Sequence, residues 1–179
     1  AGINLSESGA RAGAIIGVFN CVPDDVPRNS GSFRAIEILL REGSAIGGLT
    51  HPYSASLSTT NLLNRQINAV QRCFAGLGDG WGLAEGGGAL GVGWAVYSGT
   101  DAATGERFVN QAIFGNNGGP AGPECDGWVT YSMPDCAKTV YVDSVEVLEQ
   151  KYPLRIRELR LLTDSGGPGR FRGGPASRV

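Results

Sequence analysis

DSVEVLEQKYPLRIRELRLLTDSGGPGRFRGG, residues 143–174, carries three successive signals: a capped helix, an alternating strand and a glycine-rich turn. Asp143 precedes an apolar run and Glu146 follows three residues on, the spacing of a capping box with Asp as the cap. Pro153 stops the helix. In 154–162, Leu154 and Ile156 alternate with Arg155 and Arg157, which predicts a strand. DSGGPGRFRGG (164–174) then combines five glycines, one proline and two arginines. It is not a phosphate loop of the Walker type, which needs GxxxxGK and Ser or Thr opening a helix. It is not a dinucleotide fingerprint either, because no GxGxxG leads from a first strand into a helix. A single RGG in an acidic chain is a poor nucleic-acid arm. Two readings stay open. In one, the glycines supply unusual backbone angles, Asp164 bonds local amides and the arginines clamp carboxylates. In the other, the stretch contacts an anion.

Working outward, the clearest helix spans about 59–75. Leu63, Ile67, Val70 and Phe74 recur at three- and four-residue steps, and Gly76 closes it. Its other face holds Asn61, Asn64, Gln66, Asn68 and Gln71, which is either solvated or buried against another polypeptide. FRAIEILL (33–40) reads as a strand, and LGVGWAVY and VNQAIFGNN as two strands joined by a turn at 100–108. The apolar run 14–22 suits a buried strand or a short helix, which periodicity cannot separate. GDGWGLAEGGGALG (78–91) and GGPAGPECDGW (118–128) are glycine-rich loops. The fold class is therefore α+β: glycine-rich, mostly antiparallel β-strands with two clear helices, about 59–75 and 144–151. Residues 1–179 form a single domain or the C-terminal portion of a larger subunit; both ends look like cuts.

Composition narrows the function. The chain has 29 glycines in 179 residues, about double the ordinary share, and 18% charged residues. A net charge of −2 argues against a nucleic-acid partner. Thirteen of the fifteen basic residues are arginine, which favours bidentate pairing with carboxylates or phosphates. No apolar run is long enough to span a bilayer, so no membrane partner is expected. The four cysteines, Cys21, Cys73, Cys125 and Cys136, form no CxxC pair, and reduced thiols in the cytoplasm are expected. His51 is the sole histidine, so no imidazole-based metal site can be built within the chain. His51 and Asp126 are the weak catalytic candidates. Cys125, Asp126, Asp135 and Cys136 have no diagnostic metal spacing.

Taken together, these stretches resemble the C-terminal part of the hydantoinase B / oxoprolinase family. The strongest match is residues 143–174, against a VE-x-x-E-x-x-YP helix, a strand and DSGG-x-G-(R/K)-(Y/F)-RGG. VPRNSGSFRAIEILLREGS (26–44) and GNNGGPAGPECDGW (115–128) match further family segments in the same order. Two departures stand out. The stretch 129–143 carries no histidine where hydrolase members have one, and Ala35 replaces a family proline. They tilt the reading toward the acetone/acetophenone carboxylase branch: part of a multi-subunit, ATP-dependent carboxylase acting on a ketone. The alternatives are a hydantoinase or 5-oxoprolinase type of cyclic amide hydrolase, and a non-catalytic scaffold subunit of such a complex.

The resemblance implies a constituent of a ligase or hydrolase complex that is inactive alone. ATP is expected on a hydantoinase A-like partner subunit, with other chains of the same complex present. Any divalent metal is expected outside this chain. Asp164, Arg170, Arg172, Gly166 and Gly167 become candidates for a substrate or subunit boundary.

Overall fold

The computed structural model describes residues 3–48, 52–55, 58–84, 94–113, 118–129 and 143–178. Strand β1 (Leu5–Ser6) runs into helix α1 (Glu7–Phe19), and a one-turn helix α2 (Ser30–Phe33) and strand β2 (Ile46–Gly48) follow. A wide, π-type turn (Ser58–Leu62) opens helix α3 (Leu63–Ala75). Strands β3 (Trp94–Thr100) and β4 (Arg107–Ile113) form a hairpin. Helix α4 (Val145–Lys151) and the short strands β5 (Arg160–Leu161) and β6 (Ser177–Arg178) complete the described elements. The α+β class holds. Both predicted helices form, at the expected places, and α1 and α2 join them. Pairing is antiparallel for β3–β4 and β5–β6 and parallel for β1–β2.

The run 14–22, left open between strand and helix, falls largely within α1. Ser6 caps that helix, its side chain accepting the Gly9 amide at 3.1 Å. Gly13 and Gly17 lie one turn apart on the face toward α3. A Cβ at Gly13 would press on Leu63 and Gln66, and one at Gly17 on Val70. Their missing side chains let the two helices close over a core of Leu5, Ala10, Leu63 and Ile67. Burying Ile67 completely stabilises this pair by about 1.5–3 kcal/mol. Gln66 adds a hydrogen bond to the Ala10 carbonyl at 2.7 Å.

The strand expected over 33–40 does not form. Asn29 caps a helical turn, accepting the Gly31 and Ser32 amides at 2.9 and 3.2 Å. The chain then turns through Ile36, whose amide bonds back to the Phe33 carbonyl. Ile36, Ile38 and Leu40 are half-buried while Glu37 and Leu39 face out, so the alternation was real. Among the described residues, however, 36–40 pairs with no strand. The same holds for 154–159: Leu154 and Ile156 pack inward in an extended segment, and only Arg160–Leu161 pairs, with β6.

The second core joins the hairpin to α4. Ala112 and Leu148 are buried there, surrounded by Tyr97, Val145, Tyr152, Leu154 and Ile156. Tyr152 meets Tyr97 edge-on, with ring centroids 5.6 Å apart. The cap of α4 differs from the capping-box expectation. Ser144 is the capping residue, accepting the Val147 amide at 3.4 Å. Asp143 instead clamps the end of the hairpin: its carboxylate accepts the Ile113 amide at 2.8 Å, and its own amide donates to the Ile113 carbonyl at 2.9 Å. A tertiary partner outcompeted the local one.

Candidate functional site

Three glycine-rich stretches, far apart in sequence, meet at one place. Gly119 donates to the Trp128 carbonyl at 2.8 Å, which closes the 118–128 loop on itself. Gly127 donates to the Arg172 carbonyl at 2.7 Å, and Gly174 to the Gly119 carbonyl at 2.9 Å. The 164–174 stretch is thereby stitched to the 118–128 loop. Ala84 donates to the Ala121 carbonyl at 2.9 Å and brings in the 78–84 loop. Close approach demands the glycines. A Cβ on Gly118, Gly127, Gly166 or Gly174 would overlap a backbone oxygen or carbonyl carbon of the facing segment.

This arrangement decides between the two readings for residues 172–174 of DSGGPGRFRGG. The amides of Gly119, Gly127, Arg172, Gly173 and Gly174 are all donated inside the knot. Amides so engaged cannot cradle a phosphate, and β6 rather than a helix follows the stretch. The structural reading prevails for 172–174. Ser165 continues it: its hydroxyl donates to the Leu162 carbonyl and accepts the Ala176 amide, both at 2.7 Å.

The predicted site residues divide among three surfaces of the knot. Asp126, Asp164, Gly166 and Arg172 line one groove, together with Leu161, Leu162 and Val129. Asp126 accepts the Arg172 amide at 2.7 Å, and Arg172 forms an ion pair with Asp164 at 3.0 Å. Asp164 is the one non-glycine residue with positive φ among those described, at 55°. Both partners of the ion pair are more than half exposed, so the pair orients the turn and adds under about 1 kcal/mol. Gly167 lines a second cavity of about 480 Å³ with Pro168, Ser165 and Gly118. Arg170 lines the largest of these clefts, about 690 Å³, and its guanidinium lies over the Phe171 ring, 5.4 Å from the centroid. Phe171 borders both cavities. His51, Asp135 and Cys136 lie outside the described residues.

That largest cleft was only partly legible beforehand. Its other wall is the loop 78–84, where Gly78, Gly80 and Gly82 have positive φ. Gly82 also sits against the backbone of α3, where a Cβ would strike the Gln71 carbonyl and the Ala75 amide. This packing presents Trp81 beside Phe74, with centroids 6.5 Å apart. The signal in the sequence was a tryptophan held between two glycines, GDGWG. Cys21, Cys73 and Cys125 are free thiols. Partial burial pushes the Cys21 thiol up to about 11, which keeps it neutral near pH 7. Among the described residues no three His, Cys, Asp or Glu side chains gather as metal ligands, and no helix is long and apolar enough to cross a membrane.

Comparison with known proteins adds three findings. Residues 1–179 match the family model of hydantoinase B/oxoprolinase. The beta subunit of caprolactamase from Pseudomonas jessenii is 25% identical over 178 residues, which are 99% of this chain and 30% of that protein. The crystal structure of ATP-dependent caprolactamase from Pseudomonas jessenii shares the fold, with a TM-score of 0.79 at 24% identity over 97% of this chain and 30% of that one. The chain therefore spans about a third of the length of the proteins it matches.

Proposed function

The chain belongs to the hydantoinase B/oxoprolinase family, and from that premise we propose that it is part of a multi-subunit, ATP-dependent hydrolase that opens a cyclic amide. The observation that carries this reading is the similarity to a caprolactamase beta subunit along 99% of the chain. It favours amide chemistry over the ketone-carboxylase reading, which rested on the missing histidines of 129–143 and on Ala35 in place of a family proline. The relative's name points to amide chemistry instead.

An unactivated amide is a poor electrophile. ATP, held on a hydantoinase A-like partner subunit, would supply the activation of its carbonyl. This chain's own residues position and enclose. In this reading Arg170, Gly167 and the Asp164–Arg172 pair would stand at a boundary with substrate or with another subunit, in a cytoplasmic enzyme. Rigid placement of donors around a reacting group is itself catalytic, because it removes the entropy of assembling them.

The test uses the purified native complex with ATP and either caprolactam or a methyl ketone with labelled bicarbonate. ADP release stimulated by the lactam, with an amino acid as product, supports the proposal. Label fixed into the ketone overturns it in favour of a carboxylase. If Asp126, Asp164, Arg170 and Arg172 can each be replaced without loss of lactam turnover, the chain is a scaffold.

A further inference from the structure

The cleft of about 690 Å³ between the 78–84 loop, the 121–124 turn and Phe171 is within the size range of small-molecule sites. Its apolar wall consists of Trp81, Leu83, Pro123 and Phe171. Trp81 is 44% exposed although it is backed by Phe74. A large aromatic ring held by its neighbour yet open on one side is a ready contact surface for an apolar ligand.

Charges of both signs stand around that wall. Arg170 lines the cleft, and so do Asp79 and Glu124. Among the described residues none of these three side chains forms an ion pair or a hydrogen bond. Arg170 is placed by Phe171 alone, its guanidinium over the ring and its hydrogen-bond donors unspent. By contrast, the neighbouring Arg172 is consumed by Asp164. Unspent guanidinium donors fit a carboxylate in bidentate fashion. Unspent carboxylates fit an ammonium ion. The apolar wall fits the chain between the two.

We propose that this cleft binds an aliphatic ω-amino acid, its carboxylate on Arg170, its ammonium group on Asp79 or Glu124, and its methylene chain against Trp81 and Phe171. The inference rests on the amide-hydrolase reading for its biological sense, because opening a lactam with water yields such a zwitterion. It assigns the cleft as a product site.

Calorimetry on the native complex with 6-aminohexanoate, hexanoate and hexylammonium tests this. 6-Aminohexanoate should bind saturably, and each singly charged analogue about tenfold or more weaker, the loss of one charge-assisted contact. Arg170→Gln and the double variant Asp79→Asn/Glu124→Gln should each weaken 6-aminohexanoate binding by a similar factor. Arg170→Gln should also abolish the residual binding of hexanoate while leaving that of hexylammonium unchanged, a pattern that misfolding would not give. Absence of saturable binding, or equal binding by all three probes, overturns the proposal. If the complex hydrolyses lactam with ATP but 6-aminohexanoate binding ignores these substitutions, the cleft assignment fails and the enzyme reading stands. If binding follows the substitutions but no lactam is hydrolysed, the reverse holds.

Discussion

The carboxylate of Asp126 accepts the backbone amide of Arg172 at 2.7 Å, across 46 residues of chain. That bond sits beside Gly127 donating to the Arg172 carbonyl, so one residue of the DSGGPGRFRGG stretch is gripped on both its amide and its carbonyl. Asp126 entered as a weak catalytic candidate, and its geometry is that of a brace. Asp126→Asn keeps an acceptor oxygen and should cost little. Asp126→Ala strands the Arg172 amide and should cost about 1–2 kcal/mol, lowering Tm by several degrees in a thermal melt. Equal melting of the two variants would contradict the brace.

The glycines of the knot are not equivalent. A Cβ on Gly174 would overlap the Trp128 carbonyl, whereas one on Gly167 meets nothing within 4 Å. Gly174→Ala should destabilise by about 1–3 kcal/mol through overpacking. Gly167→Ala should stay within about 0.5 kcal/mol of the parent. Because Gly167 lines a cavity, loss of turnover in Gly167→Ala at unchanged Tm would mark a ligand or partner contact there.

Helix α4 tests the correction to its cap. Ser144→Ala removes the bond to the Val147 amide and should cost about 1 kcal/mol. The Ser144 hydroxyl also donates to Glu146 at 2.7 Å and, with the Glu146 backbone, holds that carboxyl below its ordinary value. A depressed carboxyl contributes stability above its unfolded pKa, and that contribution is lost as pH falls through the folded one. Carbon-detected NMR titration should show the Glu146 pKa rising in Ser144→Ala. An unchanged value would assign the depression elsewhere.

Thiol chemistry gives a pH test. Cys73 and Cys125 are exposed, and the Cys21 thiol is pushed up to about 11 by burial. At pH 8 iodoacetamide should label Cys73 and Cys125, while Cys21 is spared until the pH approaches 11, as followed by peptide mass mapping. The sign follows from the raised value. Stability from the neutral buried thiol is full below its ordinary pKa of 9.0 and is lost as pH rises through about 11. Labelling of Cys21 at pH 8 as fast as Cys125 would show that the packing over it opens readily.

Signals that live within a few residues were legible in the sequence. The apolar steps Leu63, Ile67, Val70 and Phe74 and the stop at Pro153 placed two helices, because a helix is made of bonds four residues long. The family resemblance read from 143–174 was legible too, and the family model matches residues 1–179. Alternation in 33–40 reported which side chains face inward, but a strand also needs a partner, and no local pattern supplies one. Asp143 could have capped α4, and Ile113, thirty residues away, claimed it. The convergence of 78–84, 118–128 and 164–174 was likewise invisible. A glycine's identity states only that backbone may come close, and which backbone comes close is set by the folded chain. Local patterns therefore placed α3, α4 and the glycine–proline turns, and a resemblance between motifs pointed to the kinship of this protein. Only the tertiary structure decided that DSGGPGRFRGG is a stitched brace at 172–174 and that its Arg170 opens onto a cleft.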